Sequence, residues 1–449
     1  MKRTILFLIL ILTVSHLIFA QENNTAGLSL QECVKMAVEK NINVRIAQLD
    51  NEKSISRTDE SRAALLPKIS LAGSFQDNLA IASTMIPGEF VGKPGTEIPM
   101  QLGSQYNTSA SVNISQVLYD RTAFLALEIT KKTAALSDLS IEKAREETAA
   151  DVARLYFLSL TTKEQQKLIG QNIARAEKLR DITKVSVENG VGMQVDFDRV
   201  SVTLENYYTQ LSNTQAIQEK QLNMMKYLLD IPQEQSITLT DSTNMLLLQT
   251  APELTTDFSN HIDIKLIESQ QEINLLNEKK IKSEYLPTLN LSGLFAYQGM
   301  KSEFNDYFSS NNKWYPYAYV SVGLRVSLFD GFAKRSKSHQ ANLEYRKTQE
   351  KMDATKENFS MNYKNAINNY LNNKNNLSRQ QQNLKLGEKV FNDTSLKYRE
   401  GLANMSNLLQ DEISLRNAQV GYLVALNNFK DAEVTIMSLD GHIMNLINK

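Results

Sequence analysis

The stretch SVGLRVSLFD, residues 321–330, sets Val322, Leu324, Val326 and Leu328 against Ser321, Gly323, Arg325 and Ser327, and then reaches Asp330. Alternation of this kind puts apolar side chains on one face of a strand and polar ones on the other. The pattern begins near Ala318 and predicts a strand over 318–328. Beyond Asp330 the periodicity becomes helical. The same change occurs 210 residues earlier in SVNISQVLYD, 111–120, where Val112 and Ile114 alternate with serine and asparagine before Asp120.

Two further echoes keep this order and nearly this spacing. LLPKISLAGSF (65–75) matches YLPTLNLSGLF (285–295), and VENGVGMQVDFDRVSVTLEN (187–206) matches YREGLANMSNLLQDEISLRN (398–417). A period repeated in three places marks a chain built as two copies of one unit. Each unit reads helix, strand, loop, strand, long helix, break, helix; the first occupies 21–240 and the second 241–449. Residues 1–20 read as a signal peptide: Lys2-Arg3, an apolar run from Ile5 to Phe19, then Ala20 before polar residues. An N-terminal membrane anchor is the alternative.

The other strands are expected at 68–75, 111–115 and 288–297. Pro67 and Pro287 mark the helix-to-strand junctions, since proline disfavours helix in the residue before it. Asp120 and Asp330 are placed to accept hydrogen bonds from the first turn of the next helix. Four strands of about ten residues, apolar on one face and polar on the other, fit a membrane barrel wall with lipid outside and water within. A soluble sandwich edge fits the same stretches. Two features favour the barrel. Trp314, Tyr315, Tyr317 and Tyr319 stand where an aromatic belt at the membrane surface is expected. The connection 80–105 carries Pro87-Gly88, Pro94-Gly95, Pro99 and Gly103, a turn-rich outer loop. Four strands leave open edges, which lipid does not tolerate, so the chain is expected to oligomerise; three copies give twelve strands.

Residues 121–188 and 331–399 read as unbroken rods, each about 100 Å long at 1.5 Å per residue. In the second, Tyr363, Tyr370, Leu377, Leu384, Phe391 and Tyr398 recur every seven residues, the seam of a supercoiled helix. Asn365, Asn368, Asn369, Asn372, Asn373, Asn375 and Asn376 crowd its other faces. They suit the lining of a water-filled tunnel, and a solvated coiled-coil surface explains them equally well. Shorter helices are expected at 29–66, 196–229, 263–286 and 407–439, with 231–259 and the C-terminal tail forming a collar. Gly190 and Gly401 stand where each rod turns back, because a residue without Cβ allows the chain to reverse.

Lys and Arg total 49 against 50 Asp and Glu, a formal charge of −1 that gives nucleic acid no footing. Cys33 is the single cysteine, expected as a packing residue on a helix face. His261, His339 and His442 have no metal-ligand spacing, and no nucleophile motif or phosphate loop is present. No metal, cofactor or catalytic residue is therefore expected.

The leader, the doubled plan, the Leu-Pro junctions, the strand-Asp-helix junctions and the glycine breaks together resemble the outer-membrane efflux protein family, the TolC-like channel-tunnels. The resemblance covers essentially the whole mature chain. It implies a mainly α fold with a transmembrane β part. Long antiparallel coiled-coil helices would form a periplasmic tunnel, and four strands per chain would enter a trimeric twelve-stranded barrel in outer-membrane lipid. It implies an exit duct for efflux or one-step secretion, working with a periplasmic adaptor (membrane fusion) protein and an inner-membrane transporter. The turns at Gly190, Gly192 and Gly401 would form the periplasmic tip that partners engage. The family's latch tyrosine falls on Tyr398 and its aspartate partner on Asp196. A second arginine–threonine latch falls on Ala403 and Val195, where it cannot form. The constricting aspartates fall on Asn407 and Gln410, so amides replace carboxylates. The competing expectation is a soluble periplasmic coiled-coil structural or adaptor-like protein.

Overall fold

Pro67 and Pro287 each stand one residue before a strand, and Asp120 one residue before a 68-residue helix. The computed structural model describes residues 26–243, 245, 247–248, 258–309 and 312–447. The leader read at 1–20 lies outside them. The elements run β1 (Ala26–Leu28), α1 (Leu30–Lys40), α2 (Ile42–Ala63), β2 (Lys68–Asp77), β3 (Ser83–Pro87), β4 (Glu97–Gln101), β5 (Tyr106–Tyr119), α3 (Arg121–Glu188) and α4 (Gln194–Leu229). Then follow β6 (Ile237–Leu239), α5 (Ile262–Ser283), β7 (Thr288–Lys301), β8 (Tyr315–Arg325), α6 (Ala333–Arg399) and α7 (Met405–Leu439). Among the described residues no helix is long and apolar enough to cross a membrane.

Several element bounds differ from expectation, the strand expected over 111–115 running from Tyr106 to Tyr119, and three differences have a local reason. The helix expected over 29–66 is broken at Asn41, whose ψ of 139° is extended. Its buried side chain accepts from the Asn43 N–H at 2.8 Å and donates to the Leu228 carbonyl at 3.0 Å. One amide thus serves the start of α2 and the end of α4. The outer loop contains a hairpin, β3 paired antiparallel with β4, which its prolines and glycines concealed. The strand expected to reach Leu328 ends at Arg325, and α6 begins at Ala333 because Gly331 and Phe332 are left-handed, with φ of 67° and 68°.

The described chain divides into two units. One holds the described residues of Met1–Leu49, Asp138–Leu266 and Asp353–Lys449; the other holds Asp50–Ser137 and Ile267–Met352. In the second unit β2, β5, β7 and β8 form one antiparallel sheet in that order. β5 of the first repeat and β7 of the second meet at its centre. β2 and β8 are its open edges.

In the first unit β1 pairs parallel with β6, joining the start of the described chain to the segment that follows α4. α1 enters through a capping box: Glu32 N–H donates to Ser29 Oγ, and Glu32 Oε2 accepts from Ser29 N–H at 2.8 Å. The core here is Val34 and Ala37 of α1, Tyr156 and Phe157 of α3, Leu229 of α4 and Val434 of α7. Cys33 is fully buried among them, and burial pushes its thiol up to about 12, which suits packing and not reactivity. The Tyr156 hydroxyl bonds the Leu28 carbonyl at 3.0 Å and Asp241 Oδ2 at 2.9 Å, and the same oxygen accepts from Leu30 N–H at 2.7 Å. A buried polar cluster with every member bonded fixes one arrangement. The heptad seam of α6 is packed: Tyr363, Tyr370 and Phe391 are buried, and Leu377, Leu384 and Tyr398 pack beside them.

The start of α5 adds an electrostatic feature. Lys143 bonds Asp263 at 2.6 Å, while Glu146 is raised to about 7 by burial first, then by Glu142 and Asp263. A carboxyl raised on folding favours the folded state below its unfolded value and loses that contribution as pH rises through its folded value. The stabilisation is therefore present near pH 4.5 and gone above about 7. Glu146 is partly exposed, so the effect is discounted to about 1 kcal/mol. Glu146→Gln is expected to match the parent at pH 4.5 and exceed it by about that amount at pH 8, measured by urea unfolding at both pH values.

Candidate functional site

The turns after α3 and α6 are built alike. At the first, Gly190 N–H donates to Val187 O at 3.0 Å and Val191 N–H to Ser186 O at 3.0 Å. At the second, Gly401 N–H donates to Tyr398 O at 3.0 Å and Leu402 N–H to Lys397 O at 2.8 Å. This two-bond pattern is the Schellman cap, which needs a left-handed residue. Gly190 and Gly401 supply it with φ of 72° and 76°. Gly192 has a different reason: a Cβ there would lie 2.9 Å from Ser186 Cβ. The return helices start differently. Asn404 caps α7 by accepting from Asn407 N–H at 2.9 Å, whereas Met193 offers α4 no side-chain cap.

Tyr398 is half-buried at the last turn of α6, and its hydroxyl is raised by burial and by the negative charge of Asp196. No hydrogen bond joins them among the described residues; Asp196 pairs with Arg199 at 3.3 Å. Asn407 and Gln410 are exposed on α7, and Ala403 and Val195 offer no polar side chain. The bonded contacts that tie the return helices lie slightly further in. Tyr207 of α4 donates to Glu412 of α7 at 2.8 Å, with Arg175 and Arg416 close enough to favour the carboxylate. Burial raises Glu412, and these partners oppose it. Asn172 of α3 and Gln419 of α7 exchange amide hydrogen bonds of 2.9 and 3.3 Å while almost fully buried, and Arg175 also donates to Asn172. Sequence reasoning missed this set. Each member is a lone polar residue in an amphipathic helix, and only the crossing of helices assembles them.

Register resolves the two faces of the sheet. One cross-strand row reads Ile69, Ile114, Gly293 and Val320; the next on that face reads Leu71, Val112, Phe295 and Ala318. The opposite face carries Ser70, Asn113, Leu294 and Tyr319, then Ala72, Ser111, Ala296 and Tyr317. The four aromatics expected as one belt do not share a face. Tyr315, Tyr317 and Tyr319 share parity with Ser321 and Arg325 and lie on the polar face of the sheet, opposite the rows of Val320 and Ala318. The two-residue period of the strand already implied this.

A different set girdles the apolar face. Phe75 stacks on Tyr106 at 6.0 Å, and Phe304 meets both at 6.0 and 5.7 Å. Tyr307 accepts from Thr108 at 2.8 Å and lies 6.4 Å from the Trp314 ring. Gly299 makes room: a Cβ there would stand 3.3 Å from Tyr307 and 3.5 Å from Trp314. Of the belt expected from sequence, Trp314 alone belongs to this group.

A four-stranded sheet apolar on one face and open at both edges, and two long helical hairpins turned at glycine, are the parts of an outer-membrane channel-tunnel. The chain belongs to the outer membrane efflux protein family, whose model matches residues 33–229 and 279–442. It is similar to outer membrane protein TolC of Vibrio cholerae, 23% identical over 340 residues, covering 73% of this chain and 70% of that one. Outer membrane protein TolC of Salmonella enteritidis is 19% identical over 361 residues, 73% of this chain and 64% of the relative. Solved structures share the fold. Outer membrane protein VceC of Vibrio cholerae superposes with a TM-score of 0.71 at 13% identity, covering 91% of this chain and 95% of that chain. CusC gives 0.73 at 13%, covering 94% and 95%. The open state of the Neisseria gonorrhoeae MtrE channel gives 0.72 at 17%, covering 92% and 89%.

Proposed function

We propose that three copies of this chain close a twelve-stranded barrel and serve as the exit duct of a tripartite efflux or one-step secretion system. The single observation that carries this is the sheet: apolar on one face, polar on the other, and unpaired at β2 and β8. Open edges in lipid are not viable, and ring closure with neighbouring copies removes them. A periplasmic adaptor and an inner-membrane transporter would supply substrate and energy. Two tandem repeats, 21–240 and 241–449, would each contribute one wall of strands and one hairpin. The turns at Gly190, Gly192 and Gly401 would form the tip those partners engage, with Asp196 and Tyr398 as its latch. Purification from the outer membrane in detergent should give the mass of three protomers and a small conductance in planar bilayers. A monomer in the soluble periplasmic fraction overturns this.

Asn407 and Gln410 would give that tip a neutral polar ring, which binds multivalent cations weakly. Asn407→Asp with Gln410→Asp is expected to lower the half-blocking concentration of a trivalent cation about tenfold or more, worth about 1.4 kcal/mol. Strong block of the parent that survives Asn407→Ala with Gln410→Ala contradicts the assignment. Bilayer conductance reads both.

A further inference from the structure

The three tyrosines displaced from the lipid face need another account. Tyr315, Tyr317 and Tyr319 pair in register with Gln298, Ala296 and Leu294 of β7. Across the next pairing that face carries Ser109, Ser111 and Asn113. On this mostly small, polar surface the three rings are 53, 46 and 53% exposed. The apolar-face rings, by contrast, pack into a cluster with Tyr307 bonded at its hydroxyl. Among the described residues no ring or hydrogen bond engages the three. Residues two apart on a strand repeat at about 7 Å, so the rings form a ladder roughly 14 Å long. A water-filled barrel lumen needs only polar groups for its lining. Exposed phenols add what serine and asparagine lack: flat apolar faces with a hydrogen-bonding rim. Lys68 and Arg325 lie further along the same face, Arg325 six residues beyond Tyr319, so the surroundings of the rings themselves are uncharged.

We propose that Tyr315, Tyr317 and Tyr319 form a stacking ladder on the inner barrel wall that binds planar aromatic solutes bearing a hydrogen-bonding edge. A ring slides from one phenol to the next while its polar edge stays in water or on a hydroxyl. The ladder gives the duct weak, repeated sites near its outer end, where a leaving solute is held off the opposite wall. The placement rests on the trimeric barrel proposed above, which puts the polar face of β8 on the lumen.

The test uses the full-length trimer in lipid nanodiscs with naphthalene-2-sulfonate as probe and methanesulfonate as the ringless control. Saturation-transfer NMR reads binding without requiring an open gate. The probe is expected to bind with millimolar affinity and the control not at all. Tyr315→Ser, Tyr317→Ser and Tyr319→Ser together should weaken binding about tenfold. Tyr297→Ser, on the lipid face, should leave it unchanged. Tyr317→Ser alone, expected to weaken binding about threefold, serves if the triple variant fails to assemble. Equal binding to parent and triple variant, or no probe binding to a preparation with confirmed trimer mass, overturns the ladder. Failure to find a trimer at all overturns the barrel reading instead.

Discussion

Lys430→Met is expected to destabilise the protein by about 3–5 kcal/mol, because it leaves a buried carboxylate without its counter-charge. The Lys430 and Glu433 side chains, on one turn of α7, are 3 and 0% exposed and meet at 2.8 Å. The ammonium also donates to the Met245 carbonyl and lies 5.2 and 5.4 Å from the Phe157 and Phe429 ring centres. The carboxylate's other oxygen accepts from Leu247 N–H at 3.1 Å and Leu248 N–H at 3.2 Å. One ion pair therefore anchors Met245, Leu247 and Leu248 to α7. Adding Glu433→Gln should restore all but about 2 kcal/mol of the loss, since an amide oxygen still accepts those N–H bonds without a bare charge. Urea unfolding followed by helical circular dichroism measures both variants. Hydrogen exchange at Leu247 and Leu248 should quicken in the single variant. A loss below 1 kcal/mol for Lys430→Met would show that water or rearrangement rescues Glu433.

Val320→Arg carries the second large effect. Val320 lies in the middle of β8, in the apolar row with Gly293, Ile114 and Ile69. An arginine facing the bilayer midplane of a barrel costs about 2–4 kcal/mol. Ser321→Arg, one residue on, points to the polar face and should cost well under 1 kcal/mol, as lumen positions tolerate charge. The measurement is the fraction of outer-membrane protein that migrates as a folded oligomer without heating. Equal yields from the two variants would mean that the assignment of faces is wrong.

The sequence carried the plan of the fold because its signals are periodic and doubled. Alternation located four strands, Pro67 and Pro287 marked where two begin and Asp120 where one ends, and the heptad residues predicted the packed seam of α6. What stayed hidden depends on single residues meeting across space. Asn41 breaks a helix because its amide finds the Leu228 carbonyl nearly 190 residues away. Tyr207 reaches Glu412 across 205 residues. The aromatics of β8 illustrate another kind of signal: their closeness in sequence suggests one belt, whereas strand parity, equally visible, separates Trp314 from the three that follow.

The two open edges of the sheet have a genetic consequence. A wall made by three chains is only as sound as its worst seam, since each subunit supplies one edge to each neighbour. A lesion confined to β8, such as a proline that removes a ladder donor, would spoil the whole ring it enters. When such a subunit is made in equal amount with the intact one and mixes freely, only about one ring in eight escapes it. Edge-strand lesions should therefore act dominantly, whereas lesions in an exposed helical face should be masked by the intact copy.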